Sequence, residues 1–196
     1  MILSINKLEN ERSLDRIAGS GASFRQSIAC IRPQAQQEFL MTIQTSRFGT
    51  LEVDPEKAIV FSRGILGFPG AGRFALIAPE AEGSFYWLQS MDVPDLAFVV
   101  TDPLLFVPDY NVNLREETRL QLGINQVSDI QILIIVNKVG DTLTGNLQGP
   151  LVIHSVTRQA MQVVLNEKRY QTRHPLMPLV RSTGRTPPRR YVSASA

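Results

Sequence analysis

A single cysteine, Cys30, and two histidines, His154 and His174, are all this chain offers of the usual soft metal ligands. One cysteine cannot close an intramolecular disulfide, and no zinc-type spacing is present. The expectation is a reducing compartment, the cytoplasm, with no metal or other cofactor. No apolar run approaches the roughly 20 residues that a membrane helix needs. The opening Met1-Ile2-Leu3-Ser4-Ile5 is followed at once by Lys7, Glu9, Glu11 and Arg12, which is not the pattern of a secretory leader. Basic charge is also scarce over most of the length. Residues 41–170 carry ten basic and fourteen acidic groups, net −4, whereas residues 171–196 carry five arginines and no acid. An acidic body argues against nucleic acid as the main ligand, because phosphate contacts supply most non-specific affinity.

What remains is 196 residues with 43% hydrophobic and 19% charged content, enough for one domain with a sizeable core. Residues 88–110, LQSMDVPDLAFVVTDPLLFVPDY, organise the reading. A polar cluster, Gln89 to Asp92, precedes a Pro94-Asp95 turn. Leu96 to Val100 reads as a buried strand. Asp102-Pro103 ends it, since proline has no N–H for a ladder. Leu104 to Val107 is a second apolar run, closed by Pro108-Asp109-Tyr110, and suggests a strand–corner–strand path. Phe98 is expected to be fully buried on one strand and Ile134 on another.

Upstream, residues 42–53 alternate as a hairpin, and Lys57 to Phe61 reads as a strand. Four glycines between Gly64 and Gly72 invite a phosphate-loop reading, but the spacing is not GxxxxGK[ST] and no lysine is present. A loop with Ile65, Leu66 and Phe68 packed on the body fits better. Phe74 to Ala78 and Ser84 to Leu88 are strands, with Trp87 expected in the core. Leu114 to Gly123 is the best helix, with Asn113 as cap and Gly123 as terminator. Glu116 and Glu117 fall in its first turn, where carboxylates suit the helix dipole and need no catalytic explanation.

Asp129 to Asn137 is the most β-branched run. Strands at Leu143 to Leu147, Leu151 to His154 and Met161 to Leu165 follow. A turn at Thr157 to Ala160 is preferred over a helix through Val156, Ala160, Val163 and Val164. His154, alone at the end of an apolar strand, reads as a structural imidazole. From Gln171 onward, Pro175, Pro178, Pro187 and Pro188 argue against regular structure. The expected organisation is an N-terminal extension over residues 1–40, disordered or loosely packed, a body over 41–176, and a disordered basic Pro/Arg-rich tail over 177–196. Met41 stands directly before the body. Either translation begins there or residues 1–40 form a real arm. The fold class is all-β: a small antiparallel β-barrel-like domain with one or two short helices.

The ordered set of motifs resembles the flagellar assembly factor FliW family. It comprises RFG-x-L-E-V from Arg47 to Val53, GILGF from Gly64 to Phe68, LQS-x-D, and DP-x-x-F-x-PDY from Asp102 to Tyr110. NL-x-GP-x-VI from Asn146 to Ile153, Arg158, QVVL from Gln162 to Leu165, Tyr170 and RHP at Arg173 to Pro175 complete it. The resemblance covers residues 42–176. It implies a barrel-like fold and a non-enzymatic cytoplasmic regulator that binds flagellin and, in exchange, the RNA-binding translational repressor CsrA. No nucleophile–base pair, metal cluster or phosphate loop competes with that reading. A flavin-type barrel is the alternative, but neither a basic phosphate-binding strand nor a ring-stacking pocket is evident. Expected exposure within the matched motifs nominates Asp92, Asp102, Asp109, Tyr110, Asn146 and Arg158 as partner contacts. For Asp102 and Asp109 turn formation competes with that role, and for Asn146 pinning of a strand end.

Overall fold

The computed structural model describes residues 40–78 and 83–179, with a short strand at 192–193. The expectations for residues 1–39 and for most of the basic tail lie outside the described residues. The first element is the expected hairpin, β1 (Met41–Thr45) and β2 (Gly49–Val53). The Thr45 hydroxyl closes its turn, accepting from the Phe48 N–H at 3.0 Å and donating to the Gly49 carbonyl at 2.9 Å. The hairpin is a two-stranded sheet of its own. Its apolar face, Ile43 and Val53, packs against Ala75 and Met91. Its turn residues cover Trp87: the Arg47 guanidinium lies 4.5 Å from the ring centre and the Phe48 ring meets it edge-on at 5.6 Å. Trp87 is therefore half-buried beneath a hairpin, not in the core as expected.

The barrel is built from β3 (Ile59–Phe61), β4 (Arg73–Ala78), β5 (Phe85–Ser90), β6 (Ala97–Thr101), β7 (Ile130–Val139), β9 (Leu151–His154) and β10 (Gln159–Gln162). Neighbours pair in the order β7-β6-β5-β4-β3-β10-β9, and β9 pairs back to β7, which closes the ring. All these pairings are antiparallel except β10 with β3. Outside the ring, β8 (Thr142–Gly145) pairs with the far half of β7, and β11 (His174–Pro178) pairs with β8. A two-residue strand, β12 (Val192–Ser193), pairs with β4. The expected all-β barrel is thus a closed seven-stranded one. Its interior is Phe61, Phe74, Leu88, Val100, Leu133, Leu151 and Ile153, each at most 2% exposed.

Several local expectations give way. The run Leu104 to Val107 is not a strand. The Asp102 carboxylate accepts from the Leu104 N–H at 2.8 Å, Pro103 fixes φ, and Pro103–Leu105 forms a 3-10 turn. Local hydrogen bonding here outcompetes a ladder. The helix α1 (Glu116–Leu122) starts later than expected, after Arg115, with no side-chain cap from Asn113. Its end is as read: Gly123 takes φ 68°, and the N–H groups of Gly123 and Ile124 donate back to Leu120 and Arg119. That left-handed cap is where glycine is needed. Of the three loop residues expected to pack on the body, only Ile65 is buried; Leu66 and Phe68 are 63% and 43% exposed. Phe98 is half-buried, its ring set against Phe68 and Phe74 at the barrel's edge. The turn before β10 is Ser155 to Arg158, two positions earlier than the sequence suggested. Residues 174–178 form a strand despite Pro175 and Pro178, because β11 is the outer strand of its sheet, where a missing N–H is tolerated.

Ile134 is fully buried, as expected, and sits so tightly over Gly145 that a Cβ there would lie 2.6 Å from its Cδ1. Ile134→Ala is therefore expected to cost about 2–5 kcal/mol in denaturant unfolding. A loss below about 1 kcal/mol would contradict this packing.

Candidate functional site

The connection from β6 to β7 runs over residues 102–129, a long route between adjacent antiparallel strands. Its first part is fixed by two tyrosines. Tyr110 is buried, and its hydroxyl donates to the Leu147 carbonyl at 2.6 Å. Tyr170 lies against it with ring centres 4.7 Å apart. The Tyr170 hydroxyl accepts from the Asn111 N–H at 2.9 Å and donates to the Asn111 carbonyl at 3.0 Å. Both rings share an apolar cluster with Ile134, Leu147 and Leu165 on the outer side of β7. Burial pushes the Tyr110 phenol well above its ordinary value, with the neighbouring Tyr170 and Glu167 adding to the effect. The phenol stays protonated and remains a donor.

This clamp holds up a surface. Leu104 and Leu105 are 51% and 58% exposed, and Pro108 and Asp109 face solvent beside them. Beyond Tyr110, an open groove of ≈ 290 Å³ lies between Asn113 and Arg115 on one side and Val163 to Glu167 on the other. Val164 is exposed there. Charges of both signs, Arg115 and Glu167, flank the apolar floor. Leucine side chains on a braced loop, with polar groups around them, form a surface suited to protein contact. Among the described residues no three His, Cys, Asp or Glu side chains converge as a metal site, and no helix is long and apolar enough to cross a membrane.

The six residues nominated from sequence separate into groups. Asp102, Asp109 and Tyr110 belong to this connection. Asn146 joins them through its neighbour Leu147, which receives the Tyr110 hydrogen bond. The Asn146 side-chain oxygen accepts from the Gly149 N–H at 2.9 Å, and a Cβ on Gly149 would meet the Asn146 amide at 2.8 Å. Asn146 does pin a strand end. Tyr110, expected to be exposed, is buried; its ring packs and only its hydroxyl is polar. Asp92 and Arg158 belong to other connections. Arg158 takes φ 60° in the β9–β10 turn, where its carbonyl accepts from the Val60 N–H at 2.9 Å. His154 at the start of that turn accepts at Nδ1 from the N–H groups of Val156 and Thr157, a structural role as read. The sequence reading missed Leu104, Leu105 and Tyr170 as site-forming residues. The prolines around the two leucines were the available signal that this run would not pair.

Asp92 follows β5 and ties two connections together. Its carboxylate accepts from the N–H groups of Gly72 and Arg73 at 3.1 and 2.8 Å, and from the Arg73 guanidinium at 3.0 and 2.7 Å. Partial burial is the largest single influence and pushes its pKa up. The Arg73 and Gly72 hydrogen bonds and the Arg73 charge together outweigh it and hold the carboxyl below its ordinary value.

The fold established here is that of a small closed β-barrel carrying an accessory hairpin, one outer helix and added edge strands. Comparison with known proteins narrows this. The family model described as FliW protein matches residues 42–176, the whole barrel. The flagellar assembly factor FliW of Syntrophotalea carbinolica is 41% identical over 136 residues, covering 69% of this chain and 96% of that protein. That of Treponema pallidum is 36% identical over 139 residues, covering 70% and 92%. A crystal structure of the flagellar assembly factor FliW superposes with a TM-score of 0.65 at 34% identity, covering 70% of this chain and 98% of that one. The chain belongs to the FliW family.

Two predictions follow from the geometry. Tyr110→Phe keeps the ring but leaves the Leu147 carbonyl unpaired, so unfolding should show a loss of about 1–3 kcal/mol. No loss would mean that the hydroxyl does not fasten the connection. For Asp92 the folded pKa is depressed. Its contribution is present above the unfolded value of about 3.9 and is lost as pH falls through the folded value. Asp92→Asn should flatten the acid limb of the stability profile below about pH 4. At neutral pH it should cost only about 0.5–1 kcal/mol, since solvent screens the pair. An unchanged acid limb would contradict the assignment.

Proposed function

We propose that this chain is a cytoplasmic flagellar assembly factor that works by exchanging protein partners. In this reading it binds flagellin while flagellin is retained in the cell. When flagellin leaves by export, it binds a CsrA-like RNA-binding repressor, and translation of flagellin resumes. The observation that carries the reading is the FliW match across the entire barrel, residues 42–176. The structure supports it with a braced, solvent-facing loop suited to protein contact. The acidic body is complementary to a partner with a basic RNA-binding surface. In this reading the contact surface comprises Asp102 to Asp109 and the adjoining groove. Asp92 is given a lesser part, because its charge is already matched by Arg73. The two partners are expected to compete, since a domain of this size has few surfaces of about 800 Å² to devote to each.

The test is a titration of the purified protein with the CsrA-like protein and the flagellin of the same cell, singly and together. Binding at micromolar concentration or tighter is expected, with each partner weakening the other. The double substitution Leu105→Ser, Asp109→Asn alters only solvent-facing groups. It should weaken binding by roughly tenfold, about 1.4 kcal/mol, at unchanged thermal stability. Absence of binding to either partner would refute the proposal.

A further inference from the structure

The edge of β4 is only partly covered by the barrel. Its partner β3 reaches it at two positions, Ile59 opposite Phe74 and Val60 opposite Arg73. Before Ile59 the chain leaves the ladder into a 3-10 turn, Pro55–Lys57. The Gly72 carbonyl accepts from the Phe61 N–H on that side, and the Arg73 carbonyl accepts from the Met91 N–H on the other. Alternation along a strand then directs the backbone groups of Leu76 and Ala78 to the side that β3 has left. Open ladder groups of this kind are a template for another strand.

In this structure that edge has an occupant, and it comes from outside the matched family region. Val192 pairs with Ala78 and Ser193 with Ile77, antiparallel. The last described residue before the tail is itself fixed: the Leu179 N–H donates to the Asp141 carbonyl at 2.8 Å. Residues 180–191 join the two points, with four arginines, two prolines and no acid. We propose that the C-terminal end of this chain is a tethered edge cap, a strand that docks on β4 at Ile77–Ala78 and closes the ladder that β3 leaves open. Two residues of pairing would be weak between separate molecules. A tether this short supplies an effective concentration of the order of millimolar, which favours the docked state without further contacts. Release of the cap would expose a strand-addition site on the barrel wall, a regulated surface distinct from the 102–115 connection. The inference does not depend on which partners the family fold binds.

Amide hydrogen exchange resolved at Ala78 tests this on three proteins: the full chain, a chain ending at Leu179, and the full chain with Val192→Pro. Proline removes the N–H at the paired position while leaving length and charge intact. Truncation is expected to speed exchange at Ala78 by about tenfold, and Val192→Pro to do so to a similar degree. Amides of β5 and β9 serve as controls for global stability and should not change. Equal Ala78 rates in the three proteins would overturn the proposal. Protection that survives truncation and grows with protein concentration would assign the edge to a second copy, and would overturn it also.

Discussion

β7 is the strand on which everything else depends, because one of its edges serves two neighbours in succession. Along Ile130 to Leu133 that edge pairs with β9 and closes the barrel. Along Val136 to Val139 it pairs with β8 and leaves the barrel. The handover falls at Ile134 and Ile135. The Asn146 N–H donates to the Ile135 carbonyl at 2.9 Å, and its side chain then holds Gly149 so that the chain turns into β9. Gln162 completes the corner: its amide nitrogen donates to the Gly149 carbonyl at 3.0 Å, and its amide oxygen accepts from the Leu66 N–H at 2.9 Å. Buried backbone groups that change partner in mid-strand must be satisfied at the change. A few polar side chains at this corner do that, and the barrel closes only because they do.

The candidate surface is a consequence of the same strand. β6 and β7 are neighbours, yet the chain between them crosses the outer side of β7 before returning. A connection that long is costly to order unless it buries something. Tyr110 and Tyr170 provide the burial, over Ile134 and Leu147, and their hydroxyls satisfy backbone groups that water would otherwise have to reach. The crossing is thereby fixed in place. Leu104 and Leu105 are exposed because the 3-10 turn set by Asp102 and Pro103 keeps them out of any ladder.

The strands that carry the barrel were legible where β-branched runs met clear turn signals, Ile130 to Val139 above all. The closure was not, since β7–β9 pairing joins segments whose sequences show nothing of their mutual register. Period also fails for short apolar runs: Leu104 to Val107 has the composition of a strand, and only the Asp-Pro hydrogen bonding decides otherwise. Proline misled in the other direction at Pro175, because a sequence does not show whether a strand is an edge. Among the candidate residues, Asp102 and Asp109 were read with their turn roles open. Tyr110 was misjudged because a tyrosine carries a large apolar ring with a polar tip, and composition does not show which of the two faces the solvent.

The separation of charge has a physical consequence for recognition. The body carries −4 and residues 171–196 carry +5, so the molecule is nearly balanced but strongly dipolar in sequence. A partner with a basic face is drawn to the body and repelled by the tail, and the two effects oppose each other over distances near a Debye length of about 8–10 Å. In the capping proposal, pairing of Val192 and Ser193 with β4 tethers the segment whose sequence carries the arginines. It therefore limits how far they offset the field of the body at the 102–115 connection. Under the capping proposal, release of that pairing would make the charge of these arginines available to an anionic neighbour. Coupling between the edge of β4 and the contact surface then requires no change in the barrel itself. It would require only that the proposed docking alter how those arginines interact with a bound partner, which is a difference in interaction free energy and so suffices for linkage.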